Sequence, residues 1–192
     1  MTPQVPISRY LDLYSYWLSK RNGRIMPARG DIDPAELAKL LPFLCIVDKA
    51  AGEFRFRLMG TGVVRDLGRD LTGESFDACA GNSSEAIAAV QALGERVFAN
   101  AQPIFTAGHR ATGHGTIHNS SALLLPLSDD GRHVNMFIAT RAACFNGGDK
   151  ASRNWLEGAR LQLLDVIDIR DAPDLEKRCR DWKDFCLADG PP

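Results

Sequence analysis

The stretch from Met26 to Pro42, leading straight into Phe43–Asp48, constrains this chain more than any other segment. It combines a helix-start signal, three prolines (Pro27, Pro34 and Pro42) and a cluster of Arg29, Asp31 and Asp33. Asp33 has the side chain of an N-cap, Pro34 suits the first helical position, and Glu36 sits where it can return the capping bond. A short helix is therefore predicted from Asp33. Leu37, Leu40 and Leu41 form its buried side and Pro42 its end. The near-continuous apolar run Phe43–Asp48 then reads as a strand, so helix and sheet are joined with almost no slack.

A longer helix precedes this stretch. Ser8 is the expected cap, and Tyr10, Leu13, Tyr14, Trp17 and Leu18 recur on one face as far as Lys20. Asn22-Gly23 stops it. Downstream, Lys49-Ala50-Ala51-Gly52 predicts a turn and Glu53–Met59 an alternating strand. Phe54, Phe56 and Leu58 are expected on one face, with Arg55, Arg57 and Met59 on the other. Gly60–Gly73 holds a short helical piece around Val63–Leu67. Ser83 or Ser84 caps a helix to about Asn100, whose stripe is Ile87, Val90, Leu93, Val97 and Phe98. Strands follow at Ile104–Ala111, Ser120–Leu127 and Val134–Ala142. Gly113-His114-Gly115 and Ser128-Asp129-Asp130-Gly131 make the turns between them. Helices set between two runs of antiparallel strands indicate an α+β domain rather than a doubly wound parallel sheet. Beyond Phe145, Trp155–Ile169 reads as a helix in preference to a strand from Leu161. Asp174–Leu187 reads as a helix with Leu175, Cys179, Trp182 and Cys186 on one stripe.

Composition narrows the functional classes. With 192 residues the chain is one domain with extensions, and a hydrophobic content of 45% is enough to bury a core. Lys and Arg total 23 against 24 Asp and Glu, which lacks the basic excess of a nucleic-acid binder. The five cysteines (Cys45, Cys79, Cys144, Cys179, Cys186) are scattered and form no C-x-x-C pair, against a disulfide framework or a structural zinc site. No apolar run approaches the ~18–20 residues of a membrane span. Met1–Arg9 shows no signal-peptide pattern, so the expected location is the cytoplasm.

No constellation of residues declares a reaction. Capping and clamping of the N-terminal helix account for Arg29, Asp31 and Asp33. Of the four histidines, His109 and His114 are expected on opposite faces, whereas a metal needs imidazoles converging at ~2.0–2.1 Å. His118 and His133 read likewise as strand-end and loop residues. Asn146-Gly147-Gly148-Asp149-Lys150 shares only three residues with the Gly-Gly-Asp-Glu-Phe signature of diguanylate cyclases. Cys79, in Asp77-Ala78-Cys79-Ala80-Gly81, does not match the Asn-Cys-Arg-Phe motif of flavin photosensors. A Cys–His pair built on Cys79 or Cys144 is the one nucleophilic arrangement left open. No catalytic residue and no metal ligand is assigned.

With Phe54-Arg55-Phe56-Arg57-Leu58-Met59-Gly60-Thr61 and Gly68-Arg69-Asp70-Leu71-Thr72-Gly73, the Met26–Asp48 segment resembles a branch of the PAS sensory-domain superfamily. That branch consists of short, mostly stand-alone bacterial proteins of alphaproteobacterial type, and the resemblance spans about residues 8–141. It implies a PAS-like five-stranded antiparallel sheet with helices on one face, over residues 26–145. An N-terminal helix (1–25) and a helical C-terminal extension (146–192) flank it. It also implies a ligand site between the sheet's inner face and the short helices. Phe56, Leu58, Leu123, Leu125, Met136 and Ile138 are the expected walls, with Arg57, His109, Asn135 and Thr140 as polar groups. Ordinary core packing is the competing reading of the same residues.

The expected function is that of a non-enzymatic sensory or regulatory protein acting through small-molecule binding, protein contacts or both, with its cofactor unspecified. Without an effector domain such a chain signals by docking or dimerising. The Tyr10/Leu13/Tyr14/Trp17 face is the preferred homodimer interface, and the Leu175/Trp182/Cys186 stripe the second choice. The rival is a small enzyme or carrier holding haem or flavin in the same cavity.

Overall fold

The computed structural model describes residues 7–81, 83–111, 117–145 and 160–187. Its first helix, α1 (Ile7–Lys20), buries Tyr10, Leu13, Tyr14 and Trp17, as the spacing predicts. Ser8 lies inside the helix instead of capping it. Asn22 (φ 49°) and Gly23 (φ 79°) then turn the chain through left-handed backbone.

The Met26–Pro42 stretch folds as a strap of turns, and the helix expected from Asp33 does not form. Its backbone bonds are short-range, Leu40 N–H to Leu37 O at 2.7 Å and Phe43 N–H to Leu40 O at 2.8 Å, ending in a 3-10 turn at Leu41–Phe43. The capping box fails because α1 takes both of its arms. Asp33 N–H donates to the Tyr16 hydroxyl at 2.8 Å, and Glu36 pairs with Lys20 at 2.7 Å. Only the local half survives, Ala35 N–H to Asp33 Oδ1 at 2.8 Å. The expected clamp exists with different partners. Asp31 pairs with Arg24 and accepts Ala28 N–H, while Arg29 is exposed.

Six strands follow, β1 (Leu44–Ala50), β2 (Glu53–Met59), β3 (Ile104–Ala111), β4 (Ile117–Ser128), β5 (Val134–Phe145) and β6 (Arg160–Asp168). They form one sheet in the order β2-β1-β5-β4-β3-β6, every pairing antiparallel. The α+β class and antiparallel sheet are as expected, with a sixth strand added. Residues 160–168 were predicted as helix. They form a strand because the edge of β3 offers unpaired backbone groups along its length. Arg96 fixes this strand from the far side, bonding both carboxylate oxygens of Asp168 (3.2 and 2.9 Å) and Val166 O (3.2 Å).

The sheet is buried on both faces. One carries α1 and α4 (Ala172–Leu187), joined in a core with Phe105, Leu123, Leu125, Leu127, Met136 and Ile138. The other carries α2 (Thr61–Leu67), a 3-10 turn at Phe76–Ala80 and α3 (Ser84–Asn100). Ser83 caps α3 as predicted, accepting Ala86 N–H. Burial on both sides explains why β4 reads as the unbroken run Leu123-Leu124-Leu125-Pro126-Leu127 rather than as an alternation. Pro126 is tolerated because the β3 pairing ends at Leu124, and its carbonyl accepts the Trp17 indole N–H at 2.8 Å.

At the junction of β2 with α2, Gly60 is required by space. A Cβ there would stand 2.2 Å from Leu41 O, so the strap and the start of α2 pack backbone to backbone. Both faces considered earlier as dimer interfaces are occupied within one chain. The Tyr10/Trp17 face and the Leu175/Trp182/Cys186 stripe belong to the same buried core. No helix among the described residues is long and apolar enough to cross a membrane.

Candidate functional site

Between the sheet and the α2/α3 layer lies a cavity of about 90 Å³. Its floor is set by strand register. Cys45, Ala139 and Leu124 stand side by side on β1, β5 and β4, and Arg141, Ala122 and Thr106 on β5, β4 and β3. Alternation along each strand sends these side chains to one face. Val63 and Leu67 of α2, Cys79 of the 3-10 turn, and Val90 and Leu93 of α3 close the other side. Phe56, Phe76 and Phe137 meet edge to face at centroid distances of 5.4 and 5.3 Å and make an aromatic wall.

The space exists because the floor residues are small. Ser120 and Ala122 of β4, Ala139 of β5 and Cys45 of β1 line the floor beside Leu124. Cys45 donates from Sγ to Ala139 O at 3.8 Å, and burial pushes its thiol up to about 12, against a smaller opposing pull from Arg141. That thiol is no nucleophile near neutral pH. Arg141 is the only charged residue lining the cavity among those described. Its Nη1 is buried and has no hydrogen-bond partner.

Of the ten residues predicted to line the pocket, Phe56 alone does so. Leu123, Leu125, Met136 and Ile138 lie on the opposite face, in the α1/α4 core. Thr140 points the same way and donates to Phe43 O at 3.1 Å. Leu58 is 39% exposed, and Arg57 is exposed and paired with Asp48. The cause at β2 is a bulge. Ile46 pairs with Leu58 and Val47 with Phe56, leaving Arg57 unmatched, so Met59 and not Leu58 follows Phe56 on the inner face. His109, opposite Asn119, shares the face of Phe105 and Ala107, and its Nδ1 is buried without a partner. Asn135 is half-buried beside the β4–β5 loop and bonds Asp129.

The two histidines whose side chains are described, His109 and His133, do not converge. His109 and His133 stand toward opposite ends of β4, and His133 bonds Asp130 at 2.8 Å in the exposed loop. His114, the Gly113–Gly115 turn and Asn146–Lys150 lie outside the described residues, as do the side chains of His118 and Cys144. Among the described residues no group of three His, Cys, Asp or Glu is placed to hold a metal ion. Among the described residues no histidine lines the cavity. Haem and flavin do not fit: pockets for ligands of that size run to ~300–1,000 Å³.

A family profile described as the PAS domain matches residues 7–140, from the start of α1 to Thr140 in β5. Strand β6 and helix α4 lie beyond the matched stretch. No curated protein matches the chain.

Proposed function

Since the chain belongs to the PAS-domain family, we propose that it is a non-enzymatic bacterial signalling protein whose cavity binds a small molecule and whose occupancy is read by a protein partner. The observation that carries this reading is the place of the cavity. It sits over β5 and β4, and the reverse faces of those strands hold α1 and α4. A ligand that spreads or tightens the Ala139/Ala122 region thereby presses on the strands under both flanking helices. In this reading residues 26–145 form the sensing body, and residues 1–25 and 146–192 supply the output surface, in the cytoplasm. A homodimer belongs to the proposal, with its contact on the outer surfaces of α1 and α4, because the inner face of α1 is spent in the core.

Hydrogen exchange and native mass spectrometry of the purified full chain test it. The expected result is a bound small molecule whose removal raises exchange in α2 and α3 and also in α1 or α4. Bare polypeptide, with exchange unaltered by any added metabolite mixture, refutes the reading.

A further inference from the structure

We propose that the cavity ligand is a small monocarboxylate with a compact apolar body, and that Arg141 holds its charge. This deepens the reading of the cavity as a ligand site and rests on it. Arg141 is half-buried, and its buried Nη1 is a donor with no hydrogen-bond partner, which is costly to leave unmade. No Asp or Glu among the described residues lines the cavity to supply that partner. Among the described residues nothing supplies the partner, and an anionic ligand would.

The strand register shows where such an anion fits. Arg141, Ala122 and Thr106 occupy one row across β5, β4 and β3. Strands spaced ~4.8 Å apart place the Arg141 and Thr106 backbones about 10 Å from each other. Ala122, between them, contributes only a methyl group. Arg141 and Thr106 both line the cavity, on the strands to either side of Ala122. Ser120 lies two residues from Ala122 on the same strand face. Donors from two directions match the two oxygens of a planar carboxylate.

The rest of the wall sets the body of the ligand. Phe56, Phe76, Phe137, Val90 and Leu93 offer no polar group, and no second cation lines the cavity among the described residues. A dicarboxylate would leave one charge unpaired among these side chains. A volume of about 90 Å³ admits several water-sized groups, against the ~10–15 Å³ that one water requires. The occupant is thus of the size of a branched short-chain acid or a single-ring aromatic acid.

Calorimetric titration of the full-length protein with benzoate and isovalerate, set against benzamide and isovaleramide, tests the assignment. Each carboxylate is expected to bind about tenfold or more tighter than its neutral amide, the usual margin of a charge-assisted bond. Arg141→Met should erase that margin while leaving amide binding in place, and Arg141→Lys should keep part of it. Amides binding as tightly as the acids would overturn the carboxylate assignment and leave the cavity as a ligand site. Failure of all four compounds to bind would overturn both. Should Arg141→Met not fold, Ser120→Ala serves, with a selective loss of carboxylate affinity expected. Native mass spectrometry of the same preparation adds an independent arm: a carried monoanion supports the inference, and a carried neutral or cationic molecule refutes it.

Discussion

The two faces of this sheet share the same strands and differ in what their side chains leave behind. On the α1/α4 side, Tyr10, Trp17, Phe105, Leu123, Leu125 and Leu127 are each at most 2% exposed. Tyr10 bonds Ser121 Oγ at 2.8 Å there and Trp17 donates to Pro126 O at 2.8 Å, while His109 Nδ1 and the Asn119 amide toward one end of that face are buried without a partner. On the α2/α3 side, Ala122, Ala139, Cys45 and Ser120 occupy the equivalent central rows, and Arg141 keeps an unsatisfied nitrogen. Packing density thus differs between the two faces. One face is filled by large side chains, and the other keeps a cavity of about 90 Å³, which the proposed function assigns to a ligand.

The largest effect is expected where the filled face is opened. Trp17→Ala removes a 2% exposed indole and its bond to Pro126, and should cost about 3–5 kcal/mol. Urea unfolding measures it; a loss below about 1 kcal/mol would mean α1 is not part of the core. Next comes a matched pair of overpacking changes on the two faces. Ala107→Leu, at a residue 1% exposed in the filled core, should cost about 1–3 kcal/mol. Ala122→Leu points into the cavity, so it should change stability by less than about 1 kcal/mol and abolish small-molecule binding. Equal penalties at both positions would erase the distinction between the faces.

How much of this was legible in the sequence depends on which periodicities tertiary contacts left intact. Helix α1 was readable because Tyr10, Leu13, Tyr14 and Trp17 keep a helical period against a polar outer face. The order of strands β1 to β5, the Asn22-Gly23 stop and the Ser83 cap were readable for the same local reasons. The Asp33 helix was not, because Tyr16 and Lys20 of α1 captured the groups that would have capped it. Strand β6 was missed because a sheet edge decides its conformation, and that edge lies fifty residues upstream. The cavity was mislaid through parity. A sheet buried on both faces carries no polar side to orient it, so residues 136, 138 and 140 looked equivalent to 137, 139 and 141. The bulge at Arg57 then moved Leu58 out of the site. The one available signal was Arg141, a lone charge in the apolar run of β5, followed inward by the small Ala139.

A smaller effect concerns thiols, and here the two faces should behave alike. Burial pushes Cys45 on the cavity side and Cys179 on the α4 side up to about 12, from an ordinary 9.0. In the folded protein both should resist iodoacetamide at pH 8, mapped by mass spectrometry, and react once urea is added. The sign for stability follows from the raised values. Unfolded thiols ionise first, so this contribution is complete below about pH 9 and is lost as pH rises toward 12. Rapid labelling of Cys45 alone would show that the cavity face opens while the other stays shut.

The smallest effect lies in the β4–β5 loop, which belongs to neither face and so serves as a control on both. Asp130 accepts the backbone N–H groups of His133 and Arg132 at 2.9 and 2.8 Å, together with the His133 ring and the Ser128 hydroxyl. These bonds, the His133 N–H foremost, hold its carboxyl well below the usual 3.8. A depressed folded value means that the loop's share of stability is present above about pH 4 and lost as pH falls through the folded value. Carbon-detected NMR of the carboxyl should therefore find Asp130 still ionised at pH 3, and a midpoint near 3.8 would show the loop to be loosely formed. Asp130→Asn should leave ligand binding in the cavity untouched, since the bonds of Asp130 run within Ser128–His133 and none reaches the cavity lining. A change in ligand affinity from this substitution would mean that the loop end of β4 and β5 communicates with Ala122 and Ala139, which would blur the division between the two faces.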